Sequence, residues 1–213
     1  MSYPPPAPPV PQAEPPAART RPGSVTFAVW LQILLAAFLL ASTVVSYLYG
    51  ADSQAAAEAE LQAQGVPLSD LPQGTTFEPG VGSLAFNVVI AAGLIVLALL
   101  NAAGKRPARV ITWIVQPIVL VCGAFGALSQ LFLATVLEYG IENSGVESDI
   151  DVAAVVDAVY GAYPAWTDIV SYGVLALSTL GSILVIVLLA VPASNAYFAK
   201  AEPQNFIPGA PAA

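Results

Sequence analysis

The sequence has no histidine, one cysteine, one methionine and charge on only 9% of its 213 residues. The lack of histidine removes the commonest general base and metal ligand. A single cysteine, Cys122, forbids an intrachain disulfide, so cysteine usage gives no clue to redox compartment. Cys122 also lies inside an apolar run, where a thiol is inert. No glycine-rich phosphate loop follows a strand pattern, and no nucleophile stands beside a base. An enzyme is therefore not expected, nor a cofactor. Low charge excludes more. A soluble domain carries roughly a quarter charged residues to keep its surface wet, and this chain cannot do that.

What is present in excess is apolar. Hydrophobic residues make up 57% of the chain, with a mean hydropathy of +0.74. They fall into four uncharged runs: Val25–Leu48, Val81–Ala103, Val110–Leu137 and Ile169–Val191. Each exceeds the roughly 20 residues a helix needs to cross about 30 Å of hydrocarbon. Soluble helices of such length keep a polar face. The fold class that follows is an all-α membrane protein, a four-transmembrane-helix bundle with short amphipathic helices in its outer loops. Run 110–137 is the longest, and Gln116-Pro117 near its second turn predicts a kink or tilt, because proline removes one backbone bond and clashes with the preceding turn. The first run exceeds the usual 7–15-residue core of a signal peptide and follows a proline-rich tail, so it is expected to be retained.

The charges are sorted. The six basic residues are Arg19, Arg21, Lys105, Arg106, Arg109 and Lys200, before the first run, between the second and third, and after the fourth. Segments 49–80 and 138–168 contain neither Lys nor Arg, yet hold every acid except Glu14 and Glu202. Under the positive-inside rule the basic segments are cytoplasmic, and four spans return the chain to the side where it began. The expected location is the cell membrane, multi-pass, with both termini inside. Trp30, Trp113 and Tyr197 are expected at the inner boundary; Tyr47, Tyr49, Tyr139, Trp166 and Tyr172 at the outer.

Three segments lie outside the spans. Residues 1–22 contain nine prolines and no apolar periodicity, which predicts a disordered cytoplasmic tail. Its overlapping PxxP patterns, such as Pro5-Pro6-Ala7-Pro8, are the kind a polyproline-binding partner docks, although a plain low-complexity extension explains them as well. Residues 201–213 are expected to form a second flexible cytoplasmic tail, leaving 23–200 as the expected membrane domain. In the first outer loop, Ala-, Glu- and Gln-rich 51–64 favours a separate helix ended by Gly65 and Pro67. In the second, Ser148 is a candidate cap for a helix whose stripe is Val152, Val155, Val156 and Val159. Glu147, Asp149 and Asp151 are the only metal candidates. They lack the glycine and terminal glutamate of a calcium loop, so helix capping and a solvated acidic loop are the expected roles, and no metal is expected.

Within the spans the polar residues are amides and hydroxyls, among them Gln32, Asn87, Gln116, Gln130, Ser171, Ser178 and Ser182. Groups of this kind usually hydrogen-bond across helices. No ionisable residue joins them, and ion-coupled transporters need one. Small residues recur four apart at Cys122/Gly126, Gly123/Ala127 and Ser178/Ser182, so Gly123, Gly126, Ser178 and Ser182 are the expected helix-packing positions.

The layout, with Arg106-Pro107-Ala108-Arg109 before the third run and Pro192-Ala193-Ser194-Asn195-Ala196-Tyr197-Phe198 after the fourth, resembles small actinobacterial four-span membrane proteins with a Pro-rich N-terminal tail. The resemblance implies no activity and no site residue. Tetraspanins share the span count, but their loop cysteines are missing. The expected function is a non-catalytic scaffold, accessory subunit or envelope interaction protein. A passive pore or transporter component is the alternative, and an enzyme acting at the outer face a distant third. Expected partners are the lipid bilayer and a membrane protein or second copy of the chain; no nucleic acid is expected.

Overall fold

The structure, a computed structural model, describes residues 20–66, 71, 75–143 and 150–199. All regular structure among them is helical. In chain order the helices are α1 (Gly23–Ala63), α2 (Val81–Ala102), α3 (Arg106–Leu131), α4 (Leu133–Asn143), α5 (Val152–Gly161), α6 (Thr167–Ala176), α7 (Ser182–Ala190) and α8 (Pro192–Phe198). A π-helical turn, Leu177–Gly181, joins α6 to α7 into one rod. Four helices are long and apolar enough to cross a membrane: α1, α2, α3 and the α6–α7 rod.

α1 differs from expectation. The first span and the helix expected over 51–64 are one continuous helix of 41 residues, about 61 Å long at 1.5 Å per residue. That is twice the hydrocarbon thickness. Gly50 does not break it. A Cβ there would lie 3.0 Å from Pro79 Cδ, so glycine serves the close approach of the returning loop. The helix ends where the sequence predicts, at Gly65, whose φ of +78° is the left-handed conformation glycine adopts freely. Val66 N–H donates to Leu61 O and Gly65 N–H to Gln62 O, with Leu61 and Val66 both buried in one cluster, which makes the end a complete Schellman motif.

A second such motif closes α2. Gly104 has φ +68°, and Lys105 N–H donates to Leu100 O. Only Ala103, Gly104 and Lys105 separate α2 from α3, so the two form a tight hairpin. α3 continues through Pro117 and is interrupted at Phe132, after 26 residues, or about 39 Å. The backbone resumes as α4 one residue later.

α5 begins after Asp151, whose carboxylate accepts from Ala154 N–H at 3.0 Å. The cap is thus Asp151, and Ser148 lies outside the described residues together with Glu147 and Asp149. Val152, Val155 and Val159 are buried against Ala57 and Leu61 of the α1 extension, while Val156 is half-buried. Gln64 locks the two helices. Its Nε2 donates to Asp151 O (3.2 Å), and its Oε1 accepts from Asp151 N–H (2.8 Å). Beside this cap, Tyr49 meets Tyr163 and Trp166 edge-on at 6.2 and 6.4 Å. Burial, with a smaller push from Tyr163, raises the Tyr160 phenol above its ordinary value.

The opposite end is closed by α8, for which the sequence reading assigned no element. Pro192 sits in its first turn, where a missing N–H costs nothing. Phe198 turns back into the core formed by Val25, Ala28, Val29, Ala98, Val185 and Leu189. Tyr197 donates to Ala102 O at 2.7 Å and covers Gly104, where a Cβ would lie 3.1 Å from the ring. Arg21, Lys105, Arg106 and Arg109 all belong to this end. We call it the basic end, and the α1 extension with α4 and α5 the acidic end.

Candidate functional site: a polar ladder and a lateral cavity

Two features inside the membrane-length helices carry polar chemistry. The first is a ladder of buried, uncharged side chains in the half nearer the basic end. Asn101 Nδ2 donates to Gln32 Oε1 (3.2 Å) and to Thr112 Oγ1 (2.8 Å). Thr112 in turn donates to Ala108 O at 2.8 Å, which fixes its hydroxyl as acceptor for Asn101 and hence the amide's orientation. One turn further along α3, Gln116 Nε2 donates to Ser182 Oγ at 3.0 Å. All five side chains are at most 1% exposed. α1, α2, α3 and α7 each contribute, so the ladder ties all four membrane-length helices together. Three of its atoms, Gln32 Nε2, Asn101 Oδ1 and Gln116 Oε1, have no partner. Amide groups in an apolar layer are costly when unpaired, which makes the ladder the most polar-demanding place in the bundle.

The ladder ends toward the basic end at a clamp. Arg109 Nη2 donates to Asn195 Oδ1 of α8, and the guanidinium lies over the rings of Trp113 and Phe198, 4.5 and 5.4 Å from their centroids. Ser24 and Ser194 share a hydroxyl–hydroxyl bond of 2.8 Å, and Ser194 donates to Leu188 O at 2.6 Å. The sequence-derived topology residue Arg109 is thus also a packing residue. Arg21, Lys105 and Arg106 are exposed. Arg19 and Lys200 lie outside the described residues.

The second feature is a cavity of about 270 Å³ between α2 and α3, in the half nearer the acidic end. Leu35 and Leu39 of α1 and Val174 and Leu175 of α6 form its floor. Gly123 and Gly126 both line its α3 wall, but differently. At Gly123, a Cβ would come within 2.6 Å of Ser178 Cβ, so α3 touches the α6–α7 rod there with no room for a side chain. At Gly126 a Cβ meets nothing within 4 Å. The close approach is made at Gly123; Gly126 faces open space. Ser178 is buried in the π-turn, where its hydroxyl and that of Thr179 both donate back to Leu175 O, at 3.2 and 2.6 Å. Turns of this kind cluster at functional sites. Ser182, four residues on, belongs to the ladder.

Cys122 lines the same cavity and is exposed at the bundle surface rather than enclosed. At the acidic-end rim stand Asn87, Gln130 and Ser171. Ser171 donates weakly to Thr167 O at 3.4 Å. The amides of Asn87 and Gln130 make no hydrogen bond among the described residues. A separate apolar space of about 230 Å³ lies under α4 in the cap, between Leu61, Val136, Ile141 and Val155.

Of the metal candidates only Asp151 is described, and its carboxylate caps α5. No group of three or more potential ligand residues occurs among the described residues. Sequence reasoning missed Asn101 and Thr112 as ladder members and Asn195 as the clamp. The available signal was an amide at the very end of an apolar run, three residues before a helix-ending glycine. No family model, no curated protein and no solved structure matches this chain.

Proposed function

We propose that the chain is a multi-pass cell-membrane protein that acts as a non-catalytic scaffold or accessory subunit. It holds a rigid acidic platform on the outer face and keeps its basic end in the cytoplasm. The observation that carries this reading is the continuity of α1. The helix leaves the basic end, passes through the apolar layer and continues without a break into the cap, where Gln64 and the Leu61–Val155–Val159 contacts fasten it to α5. A platform so joined moves with the bundle and presents Glu58, Glu60, Asp151 and Asp157 as one fixed surface. The charge sorting supports the orientation, since Lys105, Arg106 and Arg109 stand at one end and the platform acids at the other.

The test is cross-linking in the native membrane followed by purification of the full chain. A defined partner, lost when Glu58 and Asp157 are both replaced by Lys, supports the platform. Recovery of the chain alone, or of the same partner from the charge-reversed variant, contradicts it. The proline-rich tail is a second proposed contact, for a polyproline-binding protein in the cytoplasm. Removing residues 2–18 should then change the set of cytoplasmic proteins recovered.

One observation favours a different reading, a passive path for a small uncharged solute. Ser178 at the cavity floor, Ser182, Gln116, Thr112, Asn101 and Gln32 follow one another toward the basic end. Solute flux into proteoliposomes containing only this protein, abolished by Gln116→Leu, would establish it in place of the scaffold.

A further inference from the structure

The lateral cavity faces hydrocarbon, and its shape, size and rim chemistry point to one class of occupant. We propose that it is a binding site for a single phospholipid of the acidic-side leaflet. One acyl chain lies between α2 and α3, and its ester carbonyl accepts hydrogen bonds from the side-chain amides of Asn87 and Gln130. The inference rests on the membrane placement proposed above but not on the scaffold role.

Three observations carry it. The cavity is continuous with the surface that α2 and α3 turn to lipid, where Phe86 is 60%, Val121 66% and Phe125 71% exposed. Chains of the surrounding bilayer therefore reach it without crossing any barrier. Its volume of about 270 Å³ lies just under the roughly 300–1,000 Å³ of pockets that enclose drug-sized ligands. It is far too small for a transmembrane helix about 10 Å across, so a helix of a partner or of a second copy does not fit inside. Finally, polarity is graded. The floor, Leu35, Leu39, Val174 and Leu175, is aliphatic, whereas Asn87 and Gln130, whose amides make no hydrogen bond among the described residues, line the cavity toward the acidic end. An amide facing hydrocarbon without a partner is unfavourable, and an ester carbonyl at the base of a headgroup supplies an acceptor at the place where a chain would enter. Gly126 keeps the wall open, since its missing side chain would project into free space.

The experiment is native mass spectrometry of the full-length chain, stripped of lipid in detergent and then titrated with dioleoylphosphatidylcholine or with palmitic acid. The expected result is one phospholipid bound per chain, with binding weakened at least tenfold by Gly126→Trp, which fills the cavity. It should be weakened several-fold by Asn87→Leu with Gln130→Leu, and left unchanged by Val121→Trp, on the lipid-facing surface outside the cavity. Thermal unfolding run in parallel should show a phospholipid-dependent rise in Tm for the unaltered chain and for Val121→Trp, but not for Gly126→Trp. Equal phospholipid binding by the unaltered chain and Gly126→Trp overturns the proposal. So does binding of palmitic acid in preference to phospholipid, or a lipid-free dimer. Should Gly126→Trp not fold, the Asn87/Gln130 pair decides: unchanged affinity there overturns the site. Gly126→Trp should still recover the platform's partner, so failure of the lipid site and failure of the scaffold reading are separable.

Discussion

The two halves of the helical bundle are held together by different means. Near the basic end, α1, α2, α3 and α7 are stitched by directional bonds between buried amides and hydroxyls, and α8 folds across the end with Phe198 in the core. Near the acidic end two of these helices stand apart. A cavity separates α2 from α3, and the tightest α3 contact described there is Gly123 against Ser178. The difference follows from how helices associate in lipid. Without a hydrophobic drive, they need either small residues that admit close approach or polar side chains that bond across the gap. The basic half relies on the second device, and the acidic half on the first, at Gly123 against Ser178 and at Gly173 of α6, where a Cβ would run into the ring of Phe38 of α1. A closed half and an open half therefore arise from one set of helices.

The largest break in this comparison should come from Gly123→Leu. The side chain has nowhere to go but into Ser178, and overpacking of this kind costs about 1–3 kcal/mol or more. Gly126→Leu, three residues away, should fall within about 0.5 kcal/mol of the unaltered chain, as changes that touch nothing do. Unfolding in mixed detergent–SDS micelles measures both, and equal losses would erase the distinction between the two glycines.

Next in size is Asn101→Leu. It removes both bonds of the amide and leaves Gln32 Oε1 buried without a donor, at a cost of about 1–3 kcal/mol. Replacing Gln32 by Leu in the same chain should restore part of that loss, because an apolar pair leaves fewer groups unpaired. The same unfolding assay reads it, and a double variant worse than the sum of the singles would refute the pairing.

A smaller effect is expected at Gly104, where Ala would have to adopt φ +68° beneath the Tyr197 ring. Strain at one such residue costs about 1–3 kcal/mol. Because Tyr197 can yield, the lower part of that range is expected, together with loosening of α8 visible as faster amide exchange over Pro192–Phe198. Smallest is Gln64→Ala in the cap, about 1 kcal/mol for two exposed hydrogen bonds to Asp151 and one to Glu60. It should accelerate exchange over Val152–Gly161 while leaving the membrane-length helices unchanged.

Much of the frame was legible in the sequence. The four apolar runs mark the membrane-length helices to within a few residues, and Gly65 ends α1 where its position predicts. The valine stripe of α5 points inward because period-3.6 apolar spacing permits one buried face. What the sequence concealed depends on partners distant along the chain. The first run and the 51–64 helix read as two elements, yet α1 is continuous through Gly50, whose neighbour is Pro79, 29 residues away, and no local rule reports that contact. Pro117 sits inside α3 without ending it, and the interruption at Phe132 has no proline or glycine to announce it. The polar ladder was visible only as scattered amides and hydroxyls. Which of them meet is set by the rotation of each helix, and the π-turn at Leu177–Gly181 alters that rotation partway along the last rod. Gly123 and Gly126 share the same spacing signal and face different surroundings for the same reason.

The contrast between closed and open halves is tested most directly by the chain's own cysteine. A nitroxide attached to Cys122 in detergent should be mobile and readily reached by dissolved oxygen, since that position lines the lateral cavity and is exposed. The same label in a Cys122→Ser, Ser182→Cys chain should be immobile and shielded, because Ser182 is buried beside Gln116. Equal mobility and equal oxygen access at the two positions would contradict the account.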